Sequence, residues 1–432
     1  MTCRAAPWLR VAVVAAALLA AAVVRAENLA DAWALALQQD NALAAVRSQA
    51  DATTLDAAAA RAQRWPTLAV SGSYTQLDDS PAFEFAGLPL ALPELFEDDA
   101  VVMGAASLTI PLFTSGRISS SIAAAEARRR GAGAQLTAAT ADLKLAVADA
   151  YVAVLRARRA LAVARSNVQS LESLQHDTSS MYERELVPRN ELLAAQVALA
   201  DAKQNEVRAA NAAEVALAAY NRHLGEPMTR PVDLEESVAA SVELPGSLEA
   251  LTEQARARRT ELAMLDAQAE AYGQMARTER SRSLPQVALS GGYQYLENQF
   301  LDDETVGMAG IGVQWALFDG GQARKRAAAL ERTRRATEQQ RADAASLVEL
   351  QVREAWLGTR EARQRVQVTA DAAAQADENL RIARERYGAG LGTQTQLLEA
   401  ETLRVRALKN RDDAVLDAGL AELRLARAVG AL

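Results

Sequence analysis

The stretch WPTLAVSGSY at residues 65–74 returns as LPQVALSGGY at residues 284–293, and this repetition decides how the chain is interpreted. In both copies a proline is followed by side chains that alternate between apolar and small or polar and end at a tyrosine. Such alternation predicts a β-strand with one apolar face. The copies lie 219 residues apart (293 − 74), so a duplication of the whole chain is the first hypothesis to test.

Later segments repeat as well. LFTSG at residues 112–116 matches LFDGG at residues 317–321 with an offset of 205 (317 − 112). This offset also relates Tyr151 to Trp356, Tyr182 to Tyr387, Leu186 to Leu391, Leu192 to Leu397 and Gly225 to Gly430. We therefore predict a first repeat at 27–225, a proline-bearing linker at 226–246 and a second repeat at 247–432.

Each repeat is predicted to contain a helix, a β-hairpin and then a long helical hairpin. The β-hairpins are placed at about 66–112 and 285–317. The predicted apolar strand faces comprise Leu68, Val70, Gly72, Tyr74, Ala106, Leu108, Ile110, Val287, Leu289, Tyr293, Tyr295, Ile311, Val313, Trp315 and Leu317. The other face is small and polar, as in a membrane β-barrel with a wet interior. Taken alone, however, the strands favour a two-stranded ribbon on a soluble core, because the barrel signal of each strand is weak.

The helical segments carry a heptad pattern. Val147, Val154, Leu161 and Val168 recur every seven residues, interleaved with Ala150, Ala157, Ala164 and Leu171. Small residues in such a seam allow neighbouring helices to approach closely. No proline interrupts residues 118–179, which would extend about 90 Å as a helix. The hairpin tips are predicted near 186–189 and 388–393.

The N-terminus has the features of a secretory signal. Arg4 and Arg10 precede an apolar stretch at 11–24, and Val24 and Ala26 supply the small residues that a signal peptidase reads. Residues 1–26 are predicted to be removed, which changes the net charge from −8 to −11 (−8 − 3). An acidic chain excludes a strongly basic nucleic-acid binder, and a single cysteine excludes a disulfide scaffold.

Four strands are too few to close a barrel around an interior, and an open sheet exposes unpaired backbone groups that hydrocarbon does not tolerate. The physical solution is a barrel shared among several copies of the chain. Three copies would supply about twelve strands, and their helices would continue as a tube.

With these motifs the chain resembles the TolC-type outer-membrane efflux proteins. The resemblance rests on the strands at 66–74 and 285–293, the Phe113/Gly116 and Phe318/Gly321 junctions, and Tyr387, Gly390, Leu397 and Leu398 at the second tip. It implies a mixed, mostly α membrane protein of the Gram-negative outer membrane. The homotrimer would share a twelve-stranded β-barrel in contact with lipid, continued by a periplasmic coiled-coil tunnel. Such ducts dock onto a periplasmic adaptor and an inner-membrane pump, and they bind no cofactor and catalyse no reaction.

The resemblance also implies a gate at the periplasmic end of the tunnel. Tyr387 would bond to Glu191, and Glu399 would form an acidic ring that attracts cations. Gln396 stands where the family often has another acid, and Gly392 where some members place a basic partner. We therefore expect weaker closing bonds and a weaker preference for cations than in family members that carry those charged residues.

The two tips are the predicted adaptor contacts. These are Leu186, Val187 and Pro188 in the first repeat and Gly390, Leu391, Gly392 and Thr393 in the second. Glu185 replaces the glycine usual in the family, so docking is expected to depend more on the second tip. Two alternatives stay open: a type I protein-secretion duct of the same fold, and a soluble periplasmic coiled-coil adaptor or scaffold.

Overall fold

The computed structural model describes residues 26–78, 100–237, 246–297 and 303–432. The predicted signal peptide lies outside these ranges apart from Ala26. The elements are α1 (Leu29–Gln39), α2 (Asn41–Ala62), β1 (Thr67–Gln76), β2 (Ala100–Phe113), α3 (Arg117–Glu183), α4 (Arg189–His223), α5 (Leu248–Arg258), α6 (Thr260–Ser281), β3 (Gln286–Leu296), β4 (Thr305–Gln314), α7 (Gln322–Gly388) and α8 (Gln394–Ala428).

The duplication is present in the elements themselves. Helices α3 and α7 are both 67 residues long and start 205 residues apart (322 − 117). Helices α4 and α8 are both 35 residues long and keep the same offset. Helices α1 and α5 start 219 residues apart (248 − 29). The predicted tandem duplication and its two offsets are confirmed.

The helix predicted at the start of each repeat is two helices, which corrects the prediction. Asp40 separates α1 from α2, and Arg259 separates α5 from α6, both in an extended conformation with ψ of 119° and 117°. The Asp40 carboxylate accepts a 2.7 Å hydrogen bond from the Leu43 backbone N–H. A side chain that satisfies the first turn of a new helix favours such a break, and helix periodicity alone did not reveal it.

The four strands form one antiparallel sheet in the order β1-β2-β3-β4. One row of the register runs from Val70 through Ala106 and Tyr293 to Gly307. Residues opposite one another in antiparallel strands point to the same side of the sheet. The predicted apolar residues of all four strands therefore share a single face.

Strand β4 is shorter than predicted. It ends at Gln314, which pairs with Gln286, so Trp315 and Leu317 lie beyond the ladder. The next pairing partner would be Pro285, which has no backbone N–H to donate. The Trp315 indole N–H instead donates to the Ser283 carbonyl at 3.1 Å.

The chain divides into two compact units, and each combines segments of both repeats. The first, called the helical unit, comprises residues up to 45, 138–259 and 346–432. The second, called the sheet unit, comprises residues 46–137 and 260–345. No helix within the described ranges has a stretch that is both long and apolar enough to cross a bilayer.

The core of the helical unit lies in three clusters of buried side chains. One surrounds Tyr151, Tyr220 and Leu423, a second surrounds Val168, Leu171 and Leu397, and a third contains Leu251 and Val352. The heptad residues Val147, Val154, Val168 and Leu171 are buried, whereas Leu161 and the interleaved alanines are partly exposed.

Candidate functional site

The two hairpin tips share one backbone motif. Leu186 N–H donates to the Met181 carbonyl at 2.9 Å, and Leu391 N–H donates to the Arg386 carbonyl at 2.8 Å. These bonds close a Schellman-type helix end, which requires a residue in the left-handed conformation. Gly390 fills that position in the second tip with φ of 70°, and Glu185 fills it in the first with φ of 59°. The departure at Glu185 therefore places a side chain where glycine is preferred.

The predicted adaptor-contact residues lie on an exposed surface. Leu186 and Leu391 are 69% and 72% exposed at the ends of their helical hairpins. Pro188 and Thr393 are exposed and occupy the N-cap positions of α4 and α8, while Val187 and Gly392 are partly exposed. Each tip therefore carries a leucine whose apolar side chain is left exposed in the single chain and is available to a partner.

The predicted bond between Tyr387 and Glu191 is present within one chain. The Tyr387 hydroxyl donates to Glu191 Oε2 at 3.1 Å, and the buried Gln394 side chain donates to the Glu191 carbonyl at 2.9 Å. Burial raises the pKa of Tyr387, a hydrogen bond with Thr178 lowers it, and the nearby Glu191 carboxylate raises it, so the net change is an increase. The bond joins α7 of the second repeat to α4 of the first.

The two other predicted gate residues have different surroundings. The Gln396 side chain accepts from the Thr393 N–H, while the Thr393 hydroxyl accepts from the Gln396 N–H, both at 3.3 Å. This capping box fixes the first turn of α8, so Gln396 has a local structural role. Glu399 is exposed and makes no side-chain hydrogen bond or ion pair within the described part of the chain.

A cluster of polar and charged side chains near the second tip was not predicted from the sequence. Ser170 of α3 and Arg384 of α7 both contact the carboxylate of Glu401 in α8, with Arg384 at 2.6 Å from Glu401 Oε1. The Glu401 side chain is only 5% exposed, so removing Arg384 would leave a buried carboxylate without its ion-pair partner. These residues form no local motif, because Ser170 and Glu401 are 231 positions apart.

The apolar face of the sheet is exposed in a single chain. Val70 is 80% exposed, and Leu68, Tyr293 and Ile311 are exposed to a similar extent. The described strands are 10–14 residues long, close to the length that crosses a bilayer when tilted. Aromatic side chains flank the strand ends, as in the interfacial girdles of membrane barrels. They include Trp65, Phe113, Trp315 and Phe318 at one end and Tyr74 and Tyr295 towards the other.

These features are typical of an outer-membrane channel protein in which a β-hairpin precedes a long helical hairpin in each repeat. The chain belongs to the outer membrane efflux protein family, which matches residues 33–226 and 251–431. The predicted family, fold class and outer-membrane location are confirmed. The chain is an outer-membrane channel component of a tripartite efflux system.

Solved structures share this fold. The outer membrane protein VceC from Vibrio cholerae is 19% identical, with a TM-score of 0.78, covering 93% of this chain and 96% of that one. The Campylobacter jejuni CmeC outer membrane channel is 14% identical, with a TM-score of 0.81, covering 94% and 86%. The open state of the Neisseria gonorrhoeae MtrE channel is 19% identical, with a TM-score of 0.74, covering 93% and 88%. No curated protein sequence matches this chain significantly.

Proposed function

We propose that the chain acts as a homotrimeric, passive duct that accepts cargo from a periplasmic adaptor and an inner-membrane pump. The duct performs no chemical step, and the pump supplies the energy. Membership of the efflux family supports this role. The observation that carries the proposal is the four-stranded sheet with one exposed apolar face.

The edges of this sheet support assembly from several copies. Among the described residues, strands β1 and β4 each pair on one side only. An unpaired edge in lipid would leave backbone N–H and C=O groups without partners, each at a cost of several kcal/mol. Pairing β1 of one copy with β4 of the next removes both edges and closes a ring.

The helical tips support the proposed partners and gate. The exposed Leu186 and Leu391 offer apolar contacts to an adaptor, while the Tyr387–Glu191 bond holds α7 against α4. Glu399 is exposed and free to face copies of itself in an assembly. Like charges around a narrow aperture would repel one another and attract cations.

Cysteine cross-linking tests this arrangement, because Cys3 is the only cysteine and lies in the predicted signal peptide. One cysteine in β1 at Ala69 is combined in turn with cysteines at Gly310, Gly312 and Gln314 of β4. We expect oxidation to give covalent trimers from outer-membrane fractions for at least one pair. Each single-cysteine variant is the control and should give none. Mature protein recovered only as a soluble periplasmic monomer would contradict the proposal and favour the adaptor alternative.

A further inference from the structure

Glu27 directly follows the predicted signal peptidase site. Its backbone N–H, its carbonyl and both of its carboxylate oxygens form hydrogen bonds. Its backbone N–H donates to the Asp233 carbonyl at 2.7 Å, and its carbonyl accepts from Glu235 N–H at 3.1 Å. The Tyr151 hydroxyl donates to the same carbonyl at 3.0 Å. Glu27 also forms a parallel bridge with Leu234, so the start of the mature chain pairs with the linker.

The Glu27 side chain is held just as firmly. Its Oε1 accepts from the Tyr220 hydroxyl at 2.5 Å, and its Oε2 accepts from Arg230 at 3.1 Å. The carboxylate is 15% exposed. The site is therefore built to receive a glutamate with its main chain in one fixed position.

Two buried tyrosines bond to this residue, and the Tyr151 hydroxyl also contacts the Glu235 carbonyl at 2.6 Å. Tyr151 and Tyr220 are fully buried, and their rings meet edge to face at 6.0 Å. Burial raises the pKa of both phenols, with the Glu27 carboxylate adding to the effect. With Glu27 removed, the Tyr220 hydroxyl would lose its hydrogen-bond acceptor, and an unsatisfied buried hydroxyl is costly.

We propose that the Ala26–Glu27 bond is the processing site and that the new amino terminus binds in the folded channel as a structural ligand. A signal peptidase breaks the bond between the Ala26 carbonyl carbon and the Glu27 nitrogen. Water supplies the hydroxyl of the Ala26 carboxyl group and a proton to the Glu27 amine. The resulting ammonium keeps one N–H on the Asp233 carbonyl and adds a positive charge there.

The local sequence fixes the position of this ammonium. Asn28 caps α1, forming a reciprocal capping box with Asp31, so Glu27 is the last residue outside the helix. A charge-assisted bond is stronger than the bond of a neutral amide. Cleavage at another residue would move the charge away from the Asp233 carbonyl. This inference concerns maturation and is independent of the cargo and partners proposed above.

The first test reads the terminus of the purified channel. Intact mass and N-terminal sequencing are expected to show a chain that begins at Glu27 and carries a free amine. A processed chain that begins elsewhere would overturn the proposal. An aminopeptidase should release Glu27 slowly from the folded wild type. In Tyr220→Phe, release should be about tenfold faster, as expected from the loss of one hydrogen bond to a charged group.

Matched variants distinguish release of the bound amino terminus from a general loss of stability. Tyr182→Phe removes a hydroxyl from an exposed tyrosine and should leave the aminopeptidase rate unchanged. Selective acetylation of the terminal amine tests the charge, because it retains an N–H but removes the ammonium. We expect the acetylated channel to unfold at a lower temperature than the untreated channel. Equal unfolding temperatures, or rapid trimming of the wild type, would show that the terminus is not a bound element.

Discussion

The Tyr387 hydroxyl donates to Glu191 Oε2 at 3.1 Å, and this bond has no counterpart between the equivalent residues of the two repeats. An offset of 205 residues relates Tyr182 to Tyr387 and Glu191 to Gln396 (387 − 182 and 396 − 191). Tyr182 is 39% exposed, and the Gln396 side chain accepts a hydrogen bond from the Thr393 backbone N–H instead. The two helical hairpins therefore have equivalent helices, but only the pair Tyr387 and Glu191 forms a hydrogen bond between a tyrosine and an acid.

Tyr387→Phe is expected to favour the open channel. A hydrogen bond to a charged group contributes roughly 1.5–3 kcal/mol, so its loss would raise the open-to-closed ratio by about tenfold or more in each chain. Conductance of purified channels in planar bilayers measures this change. Tyr182→Phe is the matched control and should conduct like the wild type. Equal conductance of all three proteins would remove Tyr387 from the gate.

Alkaline pH is expected to open the same gate. The raised pKa of Tyr387 means that the bonded state favours the protonated phenol. A phenol in water titrates near about pH 10, so the contribution of this bond is complete below that pH. It is lost as the pH rises from there through the raised pKa. Wild-type conductance should therefore increase above about pH 10, whereas Tyr387→Phe should lack this step.

Glu185→Gly is expected to stabilise the first tip. Glu185 has φ of 59°, and a left-handed conformation costs a residue with a side chain about 1–2 kcal/mol. Glycine removes that strain but loses about 0.5–1 kcal/mol of chain entropy, so a net gain of about 0.5–1 kcal/mol is expected. Thermal unfolding of the purified channel measures it.

The reciprocal change serves as the control. Gly390→Ala places a side chain at φ of 70° in the equivalent position of the second tip. It should lower the unfolding temperature, because the new side chain cannot adopt this conformation without strain. If both substitutions shift the temperature in the same direction, backbone strain is not the cause.

Glu399→Ala is expected to change ion passage. Glu399 is exposed and makes no ion pair among the described residues, so its charge acts on the solvent or on other copies. Removing the charge should reduce the preference for cations and raise or alter the conductance. The reversal potential in a salt gradient across a planar bilayer measures the preference. Unchanged conductance and selectivity would show that Glu399 lies outside the gate.

The repeated elements were predictable because each depends on local pattern. Alternation at 65–74 and 284–293 predicted β1 and β3, and the sheet register places their apolar residues on one face. The proline-free stretch at 118–179 predicted most of α3. The breaks at Asp40 and Arg259 could not be recognised, because helix-forming residues continue on both sides of them.

The candidate gate was predictable only in part. Tyr387 and Glu191 came from a family resemblance, and no spacing in the chain alone would have paired them. The Ser170–Arg384–Glu401 cluster forms only where three helices pack together. Its residues are far apart in the sequence, so no local pattern predicts it. Gln396 was grouped with the gate by position, but its bond to Thr393 is a helix cap.

Val70→Lys and Ser71→Lys test which face of the sheet contacts lipid. The two residues are neighbours in β1 and point to opposite sides, with Val70 on the apolar face. A lysine facing lipid at the bilayer midplane costs about 2–4 kcal/mol, whereas a lysine in a wet interior costs much less. Val70→Lys should therefore reduce the amount of trimer recovered from the outer membrane and lower its unfolding temperature. Ser71→Lys should assemble normally and change only the conductance, so the opposite result would reverse the assigned faces.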